Sequence, residues 1–285
     1  MGWRSRMGFL LFVLYVVLFV TLPMALLAER VGFFLGFGLA ASFLFSLRFH
    51  GIDRILRRMQ AHRIARSQAP ILFAQVHEYA RRLQIPVPWV ARIESPGVNI
   101  AAVAFSPREC CLVITEGALR QLSREELAAL VGRQMTYLWQ GEVYNATWLG
   151  QFLACIDLLV SPGSQHHLLH TRRFYPFKVF IRQILLYPLT LLPAFLLRGT
   201  QEPVDLDRKA VRLTRRPHEL AEAYRKIEAL QERFPLAAPF SVRHLFLLPP
   251  PTLDPLGRLF FDAEPLLPRI QSLGEFSKNI SLVPA

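Results

Sequence analysis

The distribution of apolar residues divides the chain into long uncharged runs and shorter amphipathic segments. Two uncharged runs come first, at residues 8–28 and 31–47. Each is close to the roughly 20 apolar residues that a helix needs to cross a bilayer. Only Glu29 and Arg30 separate the two runs. The first run is longer than the apolar region of a cleavable signal peptide, and a second run follows at once, so the pattern predicts a transmembrane hairpin.

Two later apolar runs, at residues 143–160 and 179–197, predict a second membrane hairpin. The first of them contains one acid, Asp157, and the second contains one base, Arg182, and two prolines. Charged residues within membrane helices usually face protein or a water-filled cavity. We therefore expect the polar faces of these two helices to turn toward protein.

A basic segment follows the first hairpin. Residues 48–66 contain six arginines and a single acid, Asp53. The positive-inside rule places this segment on the cytoplasmic side, together with the arginine-containing N-terminus. Its apolar residues recur at helical spacing and predict a helix lying along the lipid headgroups: Ile52, Ile55, Leu56, Met59 and Ile64. Neither interleaved aromatic residues nor a recognition motif accompanies the arginines, so we expect no nucleic-acid partner.

Composition supports a membrane protein. Hydrophobic residues make up 52% of the 285-residue chain, more than is usual for a water-soluble domain, and the formal net charge is +12. The three cysteines include the adjacent pair Cys110 and Cys111, a pattern that suggests no disulfide framework.

The remaining segments predict a mostly helical α+β domain with a small β-sheet. An amphipathic helix is expected over residues 69–83, and short strands are expected at 90–94 and 111–115. Ser123 and Glu126 have the spacing of a capping box, which predicts the start of a further helix.

The order of these elements, with the segments LSREELAALVGRQMTYLWQGEV, EPVDLDRKAVRLT and LFFDAEPLLPRIQSL, resembles the HtpX-type integral-membrane zinc metallopeptidases of the gluzincin clan. The resemblance covers most of the chain. It implies a multi-span membrane protein with a gluzincin-like peptidase domain that faces the cytoplasm from a bacterial inner membrane.

The resemblance also implies four parts. These are an N-terminal transmembrane hairpin (1–48), a basic surface helix with the first half of the peptidase-like domain (49–142), a second hydrophobic hairpin (143–198) and the second half of that domain (199–285).

The residues that carry the chemistry in this family are replaced in this chain. The family has H-E-x-x-H, in which two histidines one helical turn apart bind zinc and the glutamate acts as general base. The same register here contains Arg133-Gln134-Met135-Thr136-Tyr137. A guanidinium has no lone pair to offer zinc, an amide cannot accept the proton, and a tyrosine with a pKa near ~10 is a poor ligand at neutral pH.

The third zinc ligand is also replaced. In the family it is a glutamate that begins an E-x-x-x-D pattern, and alignment on Asp207 places Pro203 at that position. Glu202 falls one residue early and Asp205 two residues late, while Ala263 occupies the place of a later family histidine. We therefore predict no catalytic residue and no zinc cofactor at the degenerate site, which comprises Arg133, Gln134, Tyr137, Glu202, Asp205 and Asp207.

Arg133 is expected to take over the charge of the absent metal. An acid facing an empty polar hollow would be costly. We predict that Arg133 pairs with Glu202, Asp205 or Asp207, with the first two favoured, and that Tyr137 packs beside the pair.

Three readings of function remain open. The first is an inactive membrane pseudopeptidase that contacts the lipid membrane and binds polypeptide, a membrane protein or a protease in membrane protein quality control. The second is an active membrane metalloendopeptidase with non-standard ligands, for which His166, His167 and His170 are the candidates because His166 and His170 have the spacing of a metal-binding pair. The third is a structural membrane protein.

Overall fold

The structure is a computed structural model that describes residues 3–49, 51–160, 188–197, 199, 202–236, 238–250 and 266–281. The candidate ligands His166, His167 and His170 and the position of Ala263 lie outside the described residues. Helices and strands are numbered below in chain order over the described residues.

Helix α1 (Trp3–Phe49) contains both N-terminal apolar runs and is broken between them. Ala28 and Glu29 have non-helical backbone angles, with φ 46° and ψ −124° at Glu29. A Cβ atom on Gly32 would lie 1.8 Å from the Met24 carbonyl oxygen, and one on Gly36 would lie 2.7 Å from Thr21 Cα. The two halves of α1 therefore pack side by side in opposite directions, and the predicted reversal at Glu29 is confirmed.

By length and composition α1 is the one helix, within the described ranges, that could cross a membrane. Many of its large apolar side chains are exposed, among them Leu10, Leu26, Phe34 and Phe45. Exposed apolar surface on this scale is typical of a lipid-facing helix.

The sheet contains β1 (Ala61–Arg63), β2 (Trp89–Ile93), β3 (Ile100–Ser106) and β4 (Glu109–Thr115) in the order β1-β2-β4-β3. Strands β2 and β4 are parallel, and the other two pairings are antiparallel. The prediction of strands at 90–94 and 111–115 is confirmed by β2 and β4, whereas β1 and β3 were not predicted.

Helix α2 (Gly51–Arg58) packs against one face of the sheet. Its apolar residues Ile52, Ile55 and Leu56 are buried in a cluster with side chains of β2, β3 and β4. The prediction that these apolar residues lie in the lipid headgroups is therefore wrong, because the sheet offers them a protein surface to bury against. Arg57 remains exposed on the outer side of α2.

The other face of the sheet packs against helices α3 (Pro70–Leu83) and α5 (Arg124–Gln140), the latter preceded by the short α4 (Glu116–Gln121). Ser123 caps α5: its Oγ accepts a hydrogen bond from the Glu126 amide at 3.2 Å, and the Glu126 carboxylate accepts one from the Ser123 amide at 2.8 Å. The predicted capping box is confirmed. It fixes the start, and so the register, of the helix that carries Arg133.

Helix α6 (Val143–Val160) corresponds to the first half of the predicted second membrane hairpin. Most described side chains from residue 143 to residue 156 are buried against the sheet, the 3₁₀ helix Phe240–Leu245 and α1. The Thr147 hydroxyl accepts a hydrogen bond from the Ala104 amide of β3 at 3.0 Å. Burial within the protein accounts for the apolar character of this part of α6, and the second membrane hairpin is not confirmed. The described part of its second half is α7 (Pro188–Leu196).

The last described helices are α8 (Pro203–Thr214), α9 (Pro217–Arg233) and α10 (Leu266–Ser281). Helices α5 and α8 approach closely, since a Cβ atom on Gly132 would lie 2.1 Å from Thr214 Cγ2. Arg133, the next residue, is buried and contacts Asp207 of α8.

The outer edge of β3 is partly covered by residues 246–248, here called the edge segment. Phe246 forms an antiparallel bridge with Ala101, and the Leu247 amide donates to the Ile100 carbonyl at 2.8 Å. The Asn99 side-chain amide donates to the Leu248 carbonyl at 2.7 Å. An edge strand with free backbone groups is a template for strand addition, and the chain itself fills this part of the edge.

Candidate functional site

Asp207 is the centre of a buried charged cluster between α5, α8, α9 and α10. Its Oδ2 accepts a hydrogen bond from Arg269 Nε at 2.8 Å, and its Oδ1 accepts one from Arg269 Nη2 at 2.9 Å. Oδ1 also accepts from the Tyr224 hydroxyl at 2.7 Å and from Arg133 Nε at 3.3 Å. The four residues Arg133, Asp207, Tyr224 and Arg269 are here called the Asp207 cluster.

The hydrogen bonds and ion pairs of the Asp207 cluster offset the free energy of burying its carboxylate. Asp207 and Tyr224 are fully buried, and Arg133 and Arg269 are 7% and 4% exposed. A buried charge is tolerated when it is paired and its lone pairs are hydrogen-bonded. The bidentate contact from Arg269 supplies most of this compensation, because two parallel N–H donors match the two carboxylate oxygens.

The predicted pairing of Arg133 with an acid of α8 is confirmed, but the preferred partners were wrong. Asp207 is the partner, whereas Glu202 and Asp205 are exposed. Glu202 precedes the first turn of α8, and Asp205 pairs at the surface with Arg208 at 3.4 Å. Asp207 lies on the face of α8 that packs against α5, and the other two acids do not.

Tyr137 lies beside Arg133, as predicted. The Arg133 guanidinium carbon is 5.8 Å from the centre of the Tyr137 ring, within the range of a cation–π contact. Burial raises the pKa of Tyr137 to about 12, although the nearby Arg133 acts in the opposite direction. The phenol is therefore protonated at neutral pH and is a poorer metal ligand than its ordinary pKa would indicate.

Gln134, which replaces the glutamate of the H-E-x-x-H pattern in the register compared above, contacts the sheet. Its side-chain nitrogen donates a long hydrogen bond, 3.4 Å, to the Ile100 carbonyl of β3, which also accepts from Leu247. Its side-chain oxygen is buried and has no hydrogen-bond partner. Gln134 thus links α5 to the edge of β3, but its amide is not a base that could activate water.

The residues of the site do not fit a zinc ion. Zinc sites in proteins use deprotonated cysteine, neutral histidine or carboxylate ligands, and the positions in question hold Arg133, Gln134, Tyr137 and Pro203. Over the described ranges no group of three or more His, Cys, Asp or Glu side chains could hold a metal ion. The two guanidinium groups on Asp207 also make the local field repulsive to a cation.

Two members of the cluster, Tyr224 and Arg269, were not predicted from the sequence. A signal for Arg269 was present: Leu266, Arg269 and Leu273 have the spacing of one helical face, and all three are buried. An arginine at a buried position of an amphipathic helix implies an acid opposite it. Tyr224 similarly lies in register with the buried Leu220 and Ile227 of α9.

Comparison with known proteins identifies relatives that match most of the chain. It is 30% identical over 240 residues to a protein named Protease HtpX homolog from Nostoc punctiforme, covering 80% of this chain and 81% of the relative. Proteins of the same name match at 26% identity over 258 residues in Streptococcus uberis, with 86% of each chain covered, and at 25% over 248 residues in Salinibacter ruber, with 84% and 88% covered. No protein-family model matches the chain.

These relatives are proteases by name, and together with the apolar helix α1 they define a membrane protein of a protease class. The identity to the Nostoc relative extends over four fifths of both chains. The chain belongs to the HtpX protease family.

Proposed function

We propose that this chain is a catalytically inactive HtpX-family membrane protein that binds polypeptide or a partner protein in membrane protein quality control. The observation that supports it most directly is the place of Arg133. This residue stands where the family has its first zinc-binding histidine, and its guanidinium is held on Asp207. An ion pair between Arg133 and Asp207 thus stands in the place of a bound metal in this proposal.

The absence of a usable base supports the same conclusion. Hydrolysis of an amide requires a group that takes a proton from the attacking water. Gln134 cannot do so, and Tyr137 is protonated at neutral pH, with burial raising its pKa further, to about 12. Restoring hydrolysis would require changes at several positions together, since zinc ligands and base act as a unit.

The membrane arrangement in this proposal follows the family and helix α1. The two antiparallel halves of α1 each cross the bilayer once, with Glu29 at the outer turn. The arginines that follow α1 lie at the cytoplasmic surface of the inner membrane. The domain that contains the Asp207 cluster then faces the cytoplasm, where it meets cytoplasmic or membrane-embedded polypeptides.

The test is a hydrolysis assay on the purified full chain in detergent, with casein as substrate. The Nostoc punctiforme relative, purified in the same way, serves as the control. We expect no cleavage by this chain with or without added zinc. Cleavage that requires zinc, stops with a chelator and is lost in a His166→Ala/His170→Ala variant would instead support the active metalloendopeptidase.

A further inference from the structure

The Asp207 cluster contains more positive charge than its carboxylate needs. Arg269 engages both oxygens of Asp207 through two N–H groups at 2.8 and 2.9 Å. Tyr224 donates a third hydrogen bond to Oδ1. One bidentate arginine suffices to neutralise one carboxylate, so Arg133 is a second cation on an acid that is already paired.

Arg133 makes the weakest contact in the cluster. Its Nε donates to Oδ1 at 3.3 Å, and this is the one hydrogen bond that Arg133 forms with the described residues. A guanidinium has five N–H donors, so those on the two terminal nitrogens are left for another acceptor. The Arg133 side chain is 9% exposed, which leaves it within reach of a ligand while it remains largely desolvated.

The other acids that the structure describes in this region do not supply a second negative charge. Glu202 and Asp205 are exposed, and Asp205 pairs with Arg208. Glu142 is buried and acts electrostatically on Tyr137, but the ion pair that Arg133 forms among the described residues is with Asp207. Within the described part of the chain, Arg133 therefore shares its one counter-charge, Asp207, with Arg269.

We infer that the terminal guanidinium nitrogens of Arg133 bind a carboxylate of a polypeptide partner. This inference rests on the proposed function, which supplies the polypeptide, and it names the group that the degenerate site recognises. A guanidinium binds a carboxylate through two parallel hydrogen bonds. The Tyr137 ring beside Arg133 holds the guanidinium group in place by its cation–π contact.

Backbone recognition is limited where Gln134, the residue after Arg133, contacts the β3 edge. The Ile100 carbonyl of β3 already accepts hydrogen bonds from Leu247 and Gln134. A polypeptide that approaches Arg133 consequently cannot add as a strand at Ile100 without displacing the edge segment. Binding of a carboxylate by the Arg133 side chain does not need this displacement. The carboxylate has two possible sources in a polypeptide, the C-terminus and an acidic side chain.

The experiment measures binding of three fluorescently labelled peptide pools, about ten residues long and N-terminally blocked, to the full chain in nanodiscs. The first pool has a free C-terminal carboxylate and no Asp or Glu. The second is the same pool with an amidated C-terminus. The third is amidated and has one internal Glu.

We expect the first or the third pool to bind roughly tenfold or more tightly than the second, which is the factor typical of a charge-assisted hydrogen bond. Whichever pool shows this gain identifies the source of the carboxylate. Arg133→Gln should remove the gain. Arg208→Gln, which removes an exposed arginine paired at the surface of α8, should retain it.

Equal binding of all three pools would overturn the carboxylate site while leaving polypeptide binding intact. A carboxylate gain that survives in Arg133→Gln would show that the site lies elsewhere. Failure of every pool to bind would overturn both this inference and polypeptide binding in the proposed function. The comparison of pools on the unmodified chain needs no variant, so it remains decisive if Arg133→Gln does not fold.

Discussion

The stability of the site is predicted to depend more on Arg269 than on Arg133. Arg269 provides the bidentate contact to Asp207, so Arg269→Gln leaves a buried carboxylate with one long contact from Arg133 and one from Tyr224. Breaking a buried pair in this way should lower the free energy of unfolding by about 3–5 kcal/mol. Arg133→Gln removes one hydrogen bond and a surplus charge, and should cost about 1 kcal/mol or less.

Chemical denaturation of the purified variants measures both effects, with Arg208→Gln as the exposed control, expected within about 0.5 kcal/mol of the unmodified chain. A loss for Arg133→Gln as large as that for Arg269→Gln would contradict the assignment of Arg133 as the surplus cation.

His244 is predicted to make the protein less stable in mild acid. Burial lowers the pKa of His244 to about 4, and its Nε2 lies 2.8 Å from the Ala146 carbonyl oxygen. The unfolded chain binds a proton on this residue near pH ~6.5 while the folded chain does not. The contribution of His244 to the free energy of unfolding is therefore fully present above pH 6.5, and about 3 kcal/mol of it is lost as the pH falls to the folded pKa.

The measurement is the free energy of unfolding as a function of pH between 7 and 4. His244→Gln should flatten the slope, and His62→Gln, at an exposed position, should not. An unchanged slope in His244→Gln would exclude His244 as its source.

At the scale of single elements, a helical period identifies α3 in the sequence, whereas β3 and α6 are buried on both sides and show no such period. Helix α3 is amphipathic and was placed correctly. Every residue of β3 except Ser106 is buried, and its run of alanines shows no alternation. Helix α6 was interpreted as a membrane segment for the same reason, since burial in protein and burial in lipid select similar residues.

The degenerate motif could be placed on a helix from the sequence, but its partners could not all be identified. The capping box at Ser123 and Glu126 fixed the start of α5. The choice among Glu202, Asp205 and Asp207 depended on the crossing of α5 over α8, which a sequence without a structure does not give. Arg269 depended on the packing of α10, which is remote in sequence.

The edge segment is predicted to be held on β3 by Asn99. The Asn99 side chain donates to the Leu248 carbonyl and accepts from the Ile100 amide at 2.9 Å. Asn99→Ala leaves both buried groups unsatisfied, at a cost of about 2–3 kcal/mol. Hydrogen exchange at the Leu247 amide should accelerate by at least tenfold relative to the unmodified chain.

Gln121→Ala is the matched control, because it removes an amide that donates to a backbone carbonyl at an exposed position. If the Leu247 amide exchanged at the same rate in Asn99→Ala, the backbone bonds and apolar contacts of the edge segment would hold it on β3 without Asn99.

At the scale of the whole molecule, the proposed topology predicts opposite accessibility for two exposed positions. Gln68 lies beyond the basic segment and Glu29 at the turn of α1. A cysteine at Gln68 should react with a membrane-impermeant reagent only after cells are permeabilised, and a cysteine at Glu29 should react in intact cells. Labelling of Gln68→Cys in intact cells would contradict the cytoplasmic placement.

The native cysteines give a low background in this assay. Burial raises the pKa of Cys110 to about 11 and that of Cys111 to about 12, so their reactive thiolate forms are rare at neutral pH. Cys155 is partly exposed, so the Gln68→Cys and Glu29→Cys variants are made in a chain that carries Cys155→Ser.

The central claim is that an arginine–aspartate network occupies the place where an HtpX peptidase holds zinc. Elemental analysis of the full chain, purified from membranes without added metal and without a histidine tag, tests it most directly. The account predicts far less than one zinc per chain, with no increase after dialysis against zinc, because Arg133, Gln134, Tyr137 and Pro203 offer no ligand set. One tightly bound zinc per chain would contradict it.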